Sequence, residues 1–131
     1  MRRHRARENA FLLVFESLFL DLEVNELISI ADEVGEMNIN GYSKKIIEGV
    51  LRHRDEIDEK IKPFLKNWNI NRISNILRAI LEISVYEILY VEDVDPPVSI
   101  NEAVELAKKY FSDDGPSFVN GILGNFVRSI R

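Results

Sequence analysis

The 131-residue chain contains no cysteine, which excludes disulfides, thiolate metal sites and thiol nucleophiles. It has only 2 histidines, and HExxH, GxSxG and Walker-type glycine loops are all missing. Neither catalysis nor a metal or other cofactor is therefore expected. Apolar runs fall short of the ~18 residues that a membrane-spanning helix requires, and the charged N-terminus is not followed by a small-residue cleavage site. With no membrane contact expected, the chain reads as cytoplasmic. Proline and glycine are scarce, at 4 and 6 residues, so long regular segments with few breaks are anticipated.

What is present is a balanced globular composition, 46% hydrophobic and 30% charged, too apolar for disorder. The length suits a single domain spanning residues 1–131. The net charge of −5 is unevenly distributed: residues 1–7 hold four arginines and no acid, which leaves 13 basic and 22 acidic side chains elsewhere. A basic arm thus sits on an acidic body.

Helical periodicity runs through nearly the whole chain without strand alternation or an internal repeat, so the fold class is all-α. A first helix is expected from Arg3 to Leu20, a second from Asn25 to Glu36, a loop over Met37–Gly41, and a third from Tyr42 to Leu65 that Pro63 bends or breaks. The segment Ile73–Val91 favours strand by local propensity but is too long for one and has neither Gly nor Pro. It reads as a helix apolar almost all round, with a polar stripe of Asn75, Arg78 and Glu82, and such a helix belongs at a domain centre. Asp95-Pro96-Pro97 stops it, and Ser99 with Glu102 matches a capping box opening the next helix, which ends near Phe111. After a turn at Ser112–Pro116, a last helix places Phe118, Val119, Ile122, Leu123, Phe126, Val127 and Ile130 on one side.

Several side chains stand out from this frame. Glu87 falls among Ile73, Ile76, Ile80 and Ile83, where a lone carboxylate is costly unless paired, and a structural hydrogen bond from an arginine or a helix end is its expected role. His4 and His53 read as solvated. Arginine presents a planar fork of donors that matches phosphate and stacks on bases, so the arm suits single-stranded RNA. Lys44, Lys45, Lys108 and Lys109 extend that basic surface. In the first helix, Phe11, Phe15 and Phe19 form an aromatic stripe beside an already sufficient one of Ala10, Leu13, Val14, Ser17 and Leu18, leaving a face for a protein partner. Gly121 and Gly124 in the last helix point to close backbone approach by a neighbour.

The ordered blocks Arg2-Arg3-His4-Arg5-Ala6-Arg7-Glu8, Glu48-Gly49-Val50 with Ile57-Asp58, Trp68 with Asn71-Arg72-Ile73, Ile83-Ser84-Val85-Tyr86-Glu87-Ile88, Ile100-Asn101-Glu102-Ala103-Val104-Glu105-Leu106-Ala107-Lys108 and Phe118-Val119-Asn120-Gly121-Ile122-Leu123 resemble the NusB transcription antitermination factors over nearly the full chain. The resemblance implies two antiparallel three-helix bundles. It also implies binding of single-stranded box A RNA together with NusE, a small-subunit ribosomal protein, with other Nus factors and RNA polymerase as indirect partners. By matching position, Arg2, Arg3, Arg5 and Arg7 are expected to contact RNA, Phe118 to contact a base, and Asp114 to lie beside that surface. An acid there repels phosphate, so Asp114→Asn is expected to tighten RNA binding. Phe15 and Leu77 match the NusE-facing positions. The chain departs from the family where relatives carry tyrosine at Phe15, an acid at Leu77 and often arginine at Glu82. A protein-interaction module or homodimer without RNA is the rival reading. The RNA-binding portion of a methyltransferase is a third, and nothing in the chain follows as a cofactor-binding segment.

Overall fold

The computed structural model describes residues 3–34, 39, 41–66, 68–112 and 114–130. Among them are six α-helices, α1 (Arg3–Ser17), α2 (Val24–Val34), α3 (Gly41–Ile61), α4 (Asn75–Tyr90), α5 (Pro96–Tyr110) and α6 (Gly115–Ser129), and a 3₁₀ turn at Lys62–Phe64. No strand occurs among the described residues. The first three helices pack on one another, the last three do likewise, and α4 joins the groups by packing against α1 and α3. The expected all-α fold of two three-helix bundles is the observed one. Side-chain pairs report the helix directions. Asp58, Arg54 and Tyr42 of α3 meet Arg78, Glu82 and Glu87 of α4 in turn, so these helices run antiparallel. Ser43 and Arg54 reach Ala6 and Val14, so α3 runs parallel to α1.

The central helix is α4, in which Leu77 and every residue from Ala79 to Glu87 are buried. A strand-favouring composition yields to tertiary packing here, because β-branched side chains fit a helix that neighbours cover on all sides. Ser74 caps it by accepting the Ile76 amide at 3.1 Å. The stripe that looked polar is not exposed: Glu82 is 0% accessible. Arg78, one turn earlier on α4, and Arg54 on α3 supply its counter-charge; periodicity pairs the first with Glu82 and carries no information about the second.

Proline sets two boundaries. Pro63 sits in the 3₁₀ turn that closes α3, as its missing amide requires. Pro96 and Pro97, by contrast, open α5, because a fixed φ and an absent N–H are harmless in a first helical turn. Ser99 is consequently inside the helix and its hydroxyl turns into the core toward Glu87 and Ser84, so the capping box does not form. Helix α1 ends at Ser17 instead of Leu20, where the Ser17 hydroxyl donates to the Val14 carbonyl at 2.5 Å. The expected loop at Met37–Gly41 lies outside the described residues except for Ile39 and Gly41.

Close packing demands glycine at position 49, and at position 115, where a Cβ would lie 2.6 Å from the Phe111 ring. A Cβ on Gly49 would lie 2.1–2.5 Å from the Tyr86 ring, whereas Gly121 has nothing within 4 Å and Gly124 meets only the Arg128 side chain at 3.6–3.8 Å. The expectation for the last helix is therefore overturned, since α6 turns those two positions away from its neighbours.

Candidate nucleic-acid and partner interface

The basic arm is the first turn of α1, so its side chains splay around a helix and meet different environments. Arg3 is exposed, grips Asp93 through both guanidinium nitrogens at 3.0 and 3.2 Å, and lies 4.4 Å from the centre of the Tyr42 ring. This hydrogen bond also holds the Asp93 carboxyl below its ordinary range. His4 remains largely exposed but pairs with Glu102 at 2.6 Å, so it is not simply solvated. Arg5 is exposed and makes no ion pair among the described residues. Arg2 lies outside the described residues.

Arg7 departs from the expectation of a phosphate contact. It is 4% accessible and its Nε donates to Glu87 Oε2 at 2.7 Å, with Glu102 3.5 Å from Nη1. Glu87 is thereby paired as anticipated, and it also accepts from the Tyr42 hydroxyl and from Ser99 Oγ at 2.8 Å. Burial, reinforced by the Glu87 carboxylate, drives the Tyr42 phenol above its usual range. One carboxylate thus ties together α1, α3 and α5 from its place on α4, with Ser43 Oγ adding a bond to the Ala6 carbonyl at 2.9 Å. The arm stands on a rigid base.

A second anchor holds the far end of α1. Arg54 donates to both Glu82 oxygens at 3.0 and 3.1 Å, to Ser17 Oγ at 3.0 Å and to the Val14 carbonyl at 3.4 Å. Arg78 bridges Glu82 at 3.4 Å and Asp58 at 2.8 Å. Burial, with the adjacent Asp58 carboxylate adding to it and Arg54 opposing, pushes the Glu82 carboxyl up to about 8. Glu8 is anchored likewise: partial burial raises its carboxyl, but bonds from Lys109 and Tyr110 outweigh this and leave it below its ordinary value.

The phenylalanine stripe divides by depth. Phe11 is buried against Tyr110 at 5.0 Å between ring centres, Phe15 is half-buried, and Phe19 is 63% exposed while meeting Phe15 edge-on at 5.1 Å. Exposed Leu20 and Ile30 add apolar surface on the loop after α1 and on α2. Leu77 and Phe118 converge with Asp114 in one groove of about 290 Å³, completed by Trp68, Arg72 and Phe111. Trp68, which the sequence offered only as a family marker, is 61% exposed there and presents its ring to the groove. Asp114 sits exposed at the N-cap of α6. A shallower groove of about 590 Å³ between α5 and α6 presents the amides of Asn101 and Asn120 beside Ser117.

The NusB family model matches residues 4–128. The chain belongs to the NusB family. It is 41% identical to the transcription antitermination protein NusB of Clostridium novyi (strain NT), over 98% of this chain and 100% of the relative. Identity to the NusB of Bacillus subtilis (strain 168) is 42%, over 100% and 98% of the two chains. Among solved structures, T. maritima NusB superposes with a TM-score of 0.87 at 32% identity, covering 98% of this chain and 92% of that one. A crystal structure of antitermination factors NusB and NusE in complex with dsRNA gives a TM-score of 0.85 at 28% identity, covering 97% and 96%. The NusB model begins at residue 4, so Arg3 lies just before its span while Asp93 lies within it.

Proposed function

We propose that the protein is a transcription antitermination factor that binds box A RNA together with NusE and so promotes processive ribosomal RNA transcription in the cytoplasm. It acts as one helical domain and as a binding protein without catalysis. The observation that carries the reading is the pair of exposed guanidinium groups, Arg3 and Arg5, on the first turn of α1, in a chain of the NusB family. Arg3 and Arg5 contact phosphates and bases; Arg2 continues the arm. Arg7 belongs to the site as a positioning residue, since Glu87 and Glu102 hold its guanidinium inside. Phe118 and Trp68 offer ring faces at the groove, Asp114 limits its affinity for phosphate, and Leu77 with Phe15 marks where NusE docks. Leu77 is itself 6% accessible and underlies that contact from within, while half-buried Phe15 and exposed Phe19 supply its apolar surface.

The reading is tested by titrating a box A strand at several salt concentrations, with and without NusE. Affinity falls steeply with salt, NusE raises it, and the combined Arg3→Ala/Arg5→Ala variant lowers the log–log salt slope by about 1.4, at ~0.7 per phosphate contact on a single strand. A salt-independent affinity, or no gain from NusE, overturns it. The exposed apolar surface at Phe19, Leu20 and Ile30 favours a homodimer of the free protein as a second reading, and light scattering of the free chain reports it directly.

A further inference from the structure

The order of charges along α3 is unusual. Its first half, residues 41–52, carries Lys44, Lys45 and Arg52 against Glu48 alone, whereas Asp55, Glu56, Asp58 and Glu59 outnumber Arg54 and Lys60 in its second half. The backbone dipole of a helix favours acids near the start and bases near the end; the first turn of α3 has no acid, while its last turn sets Lys60 beside Glu59. The acids near its end have internal partners: Asp58 holds Arg78, Glu59 holds Lys62 and Glu56 accepts from Tyr90. The bases near its start do not. Lys45 and Arg52 are exposed and make no ion pair among the described residues, and Lys44 has only a 3.9 Å contact with Glu48. Nothing in the fold accounts for placing cations there.

These cations line a concave surface. Lys44, Lys45, Arg52 and His53, with one carboxylate, Glu48, border a groove of about 340 Å³ that the Tyr86 ring also lines. The groove is concave because residue 49 is glycine: the Tyr86 ring occupies the space that a Cβ would take. Behind the groove the rings of Tyr86, Tyr90 and His53 stack in series, at 5.3 Å and 4.6 Å between centres. His53 reaches this position through a break in helical geometry, at φ −107° and ψ 15°. The groove also continues the arm. Gly41 lines it, the next residue, Tyr42, lies under the Arg3 guanidinium, and Lys45 acts electrostatically on Asp93, which Arg3 grips.

We propose that the α3 groove is a second RNA-contact surface, in which Lys45 and Arg52 neutralise phosphates of the strand beyond the segment held by the arm. The proposal rests on the RNA-binding function above and deepens it. Because phosphate contacts carry no base information, the groove adds affinity for length and is indifferent to sequence. It favours RNA over a protein partner because Lys45 and Arg52 are exposed and make no ion pair among the described residues, and because it adjoins the arginine arm.

The test compares a core box A strand with the same strand extended by a short uridine tract at either end, in the full-length protein. Wild type binds an extended strand several-fold more tightly. The Lys45→Gln/Arg52→Gln variant loses that gain while holding the core strand as before, and its log–log salt slope on the extended strand falls by about 1.4, at ~0.7 per phosphate. Lys45→Arg/Arg52→Lys retains the gain, and Lys60→Gln, at the other end of α3, leaves every value unchanged. Equal affinity of wild type for core and extended strands overturns the proposal, as does a gain that survives the double variant. If neither strand binds, the RNA-binding function itself fails.

Discussion

Replacing Glu87 by alanine deprives three donors of one acceptor. Arg7 and Glu87 are 4% and 1% accessible, so the substitution leaves a guanidinium inside the protein with only Glu102, 3.5 Å away, as counter-charge. Removing one partner of a buried ion pair costs ~3–5 kcal/mol, at least about a fifth of the ~5–15 kcal/mol that holds a domain folded. At ~3–5 °C per kcal/mol for a chain of this size, Tm falls by ~10–20 °C. Glu87→Gln keeps the shape and an acceptor but loses the charge, and falls between alanine and the parent. Removing both charges in Arg7→Met/Glu87→Leu recovers much of the loss, to within ~2 kcal/mol of the parent, because apolar side chains tolerate the site without desolvation. In that variant Ser99 retains Ser84 as a partner at 3.0 Å, and half-buried Tyr42 can turn to water. Urea unfolding followed by far-UV circular dichroism measures each step, with an unchanged m-value confirming that compactness is preserved. Single variants costing under ~1 kcal/mol would refute the role of this network in stability. The same double variant separates the two roles of arginine in the arm. Its box A salt slope matches the parent if Arg7 is a strut, and a fall of about 0.7 would make Arg7 a phosphate contact after all.

Three further outcomes follow from the geometry. The Glu82 carboxyl is raised to about 8 from an ordinary value of 4.5, so the folded state holds its proton more tightly than the unfolded chain does; stability from this group is greatest below pH 4.5 and declines as pH rises to about 8. Glu82→Gln flattens that decline, so the variant gains on the parent between those limits, and a parent whose stability climbs through the window relative to Glu82→Gln contradicts the shift. Gly49→Ala drives a methyl into the Tyr86 ring and costs ~1–3 kcal/mol or more by overpacking, whereas Gly49→Ala/Tyr86→Leu relieves part of it; thermal unfolding of both variants decides, and a neutral Gly49→Ala rejects the contact. Asp93→Asn frees Arg3 from its bidentate acceptor and tightens box A binding by up to about fivefold, as expected for an exposed pair, a gain that Arg3→Ala abolishes; unchanged affinity in fluorescence anisotropy shows that the clasp does not compete with RNA.

Much of the fold was readable because it depends on local periodicity. The apolar run of α4 predicted a central helix, and Glu87, placed among isoleucines, predicted its own need for a donor. Readings failed where the deciding group was distant in sequence. Glu82 was placed on a polar stripe with Asn75 and Arg78, and its burial was not legible because Arg54, 28 positions away, cannot be seen from its own helix. The arm looked like a uniform row of free cations because Asp93, Glu87 and Glu102 lie 80–98 positions from Arg3, Arg7 and His4. A helix distributes adjacent residues around its axis, so Arg5 and Arg7, two apart, differ in environment as much as surface differs from core. Composition alone therefore says nothing of the carboxylates that already engage the arm. Within the described residues the body's acids already engage Arg3, His4 and Arg7, and of the described arm cations Arg5 alone has no such clasp. An incoming strand must outcompete Asp93 for Arg3, which makes RNA affinity depend on an acidic loop as well as on the arginines themselves. By the same logic the acidic body acts on specificity: a strand that offers only charge meets competing carboxylates, whereas one that also stacks at Trp68 or Phe118 gains contacts that no carboxylate can supply.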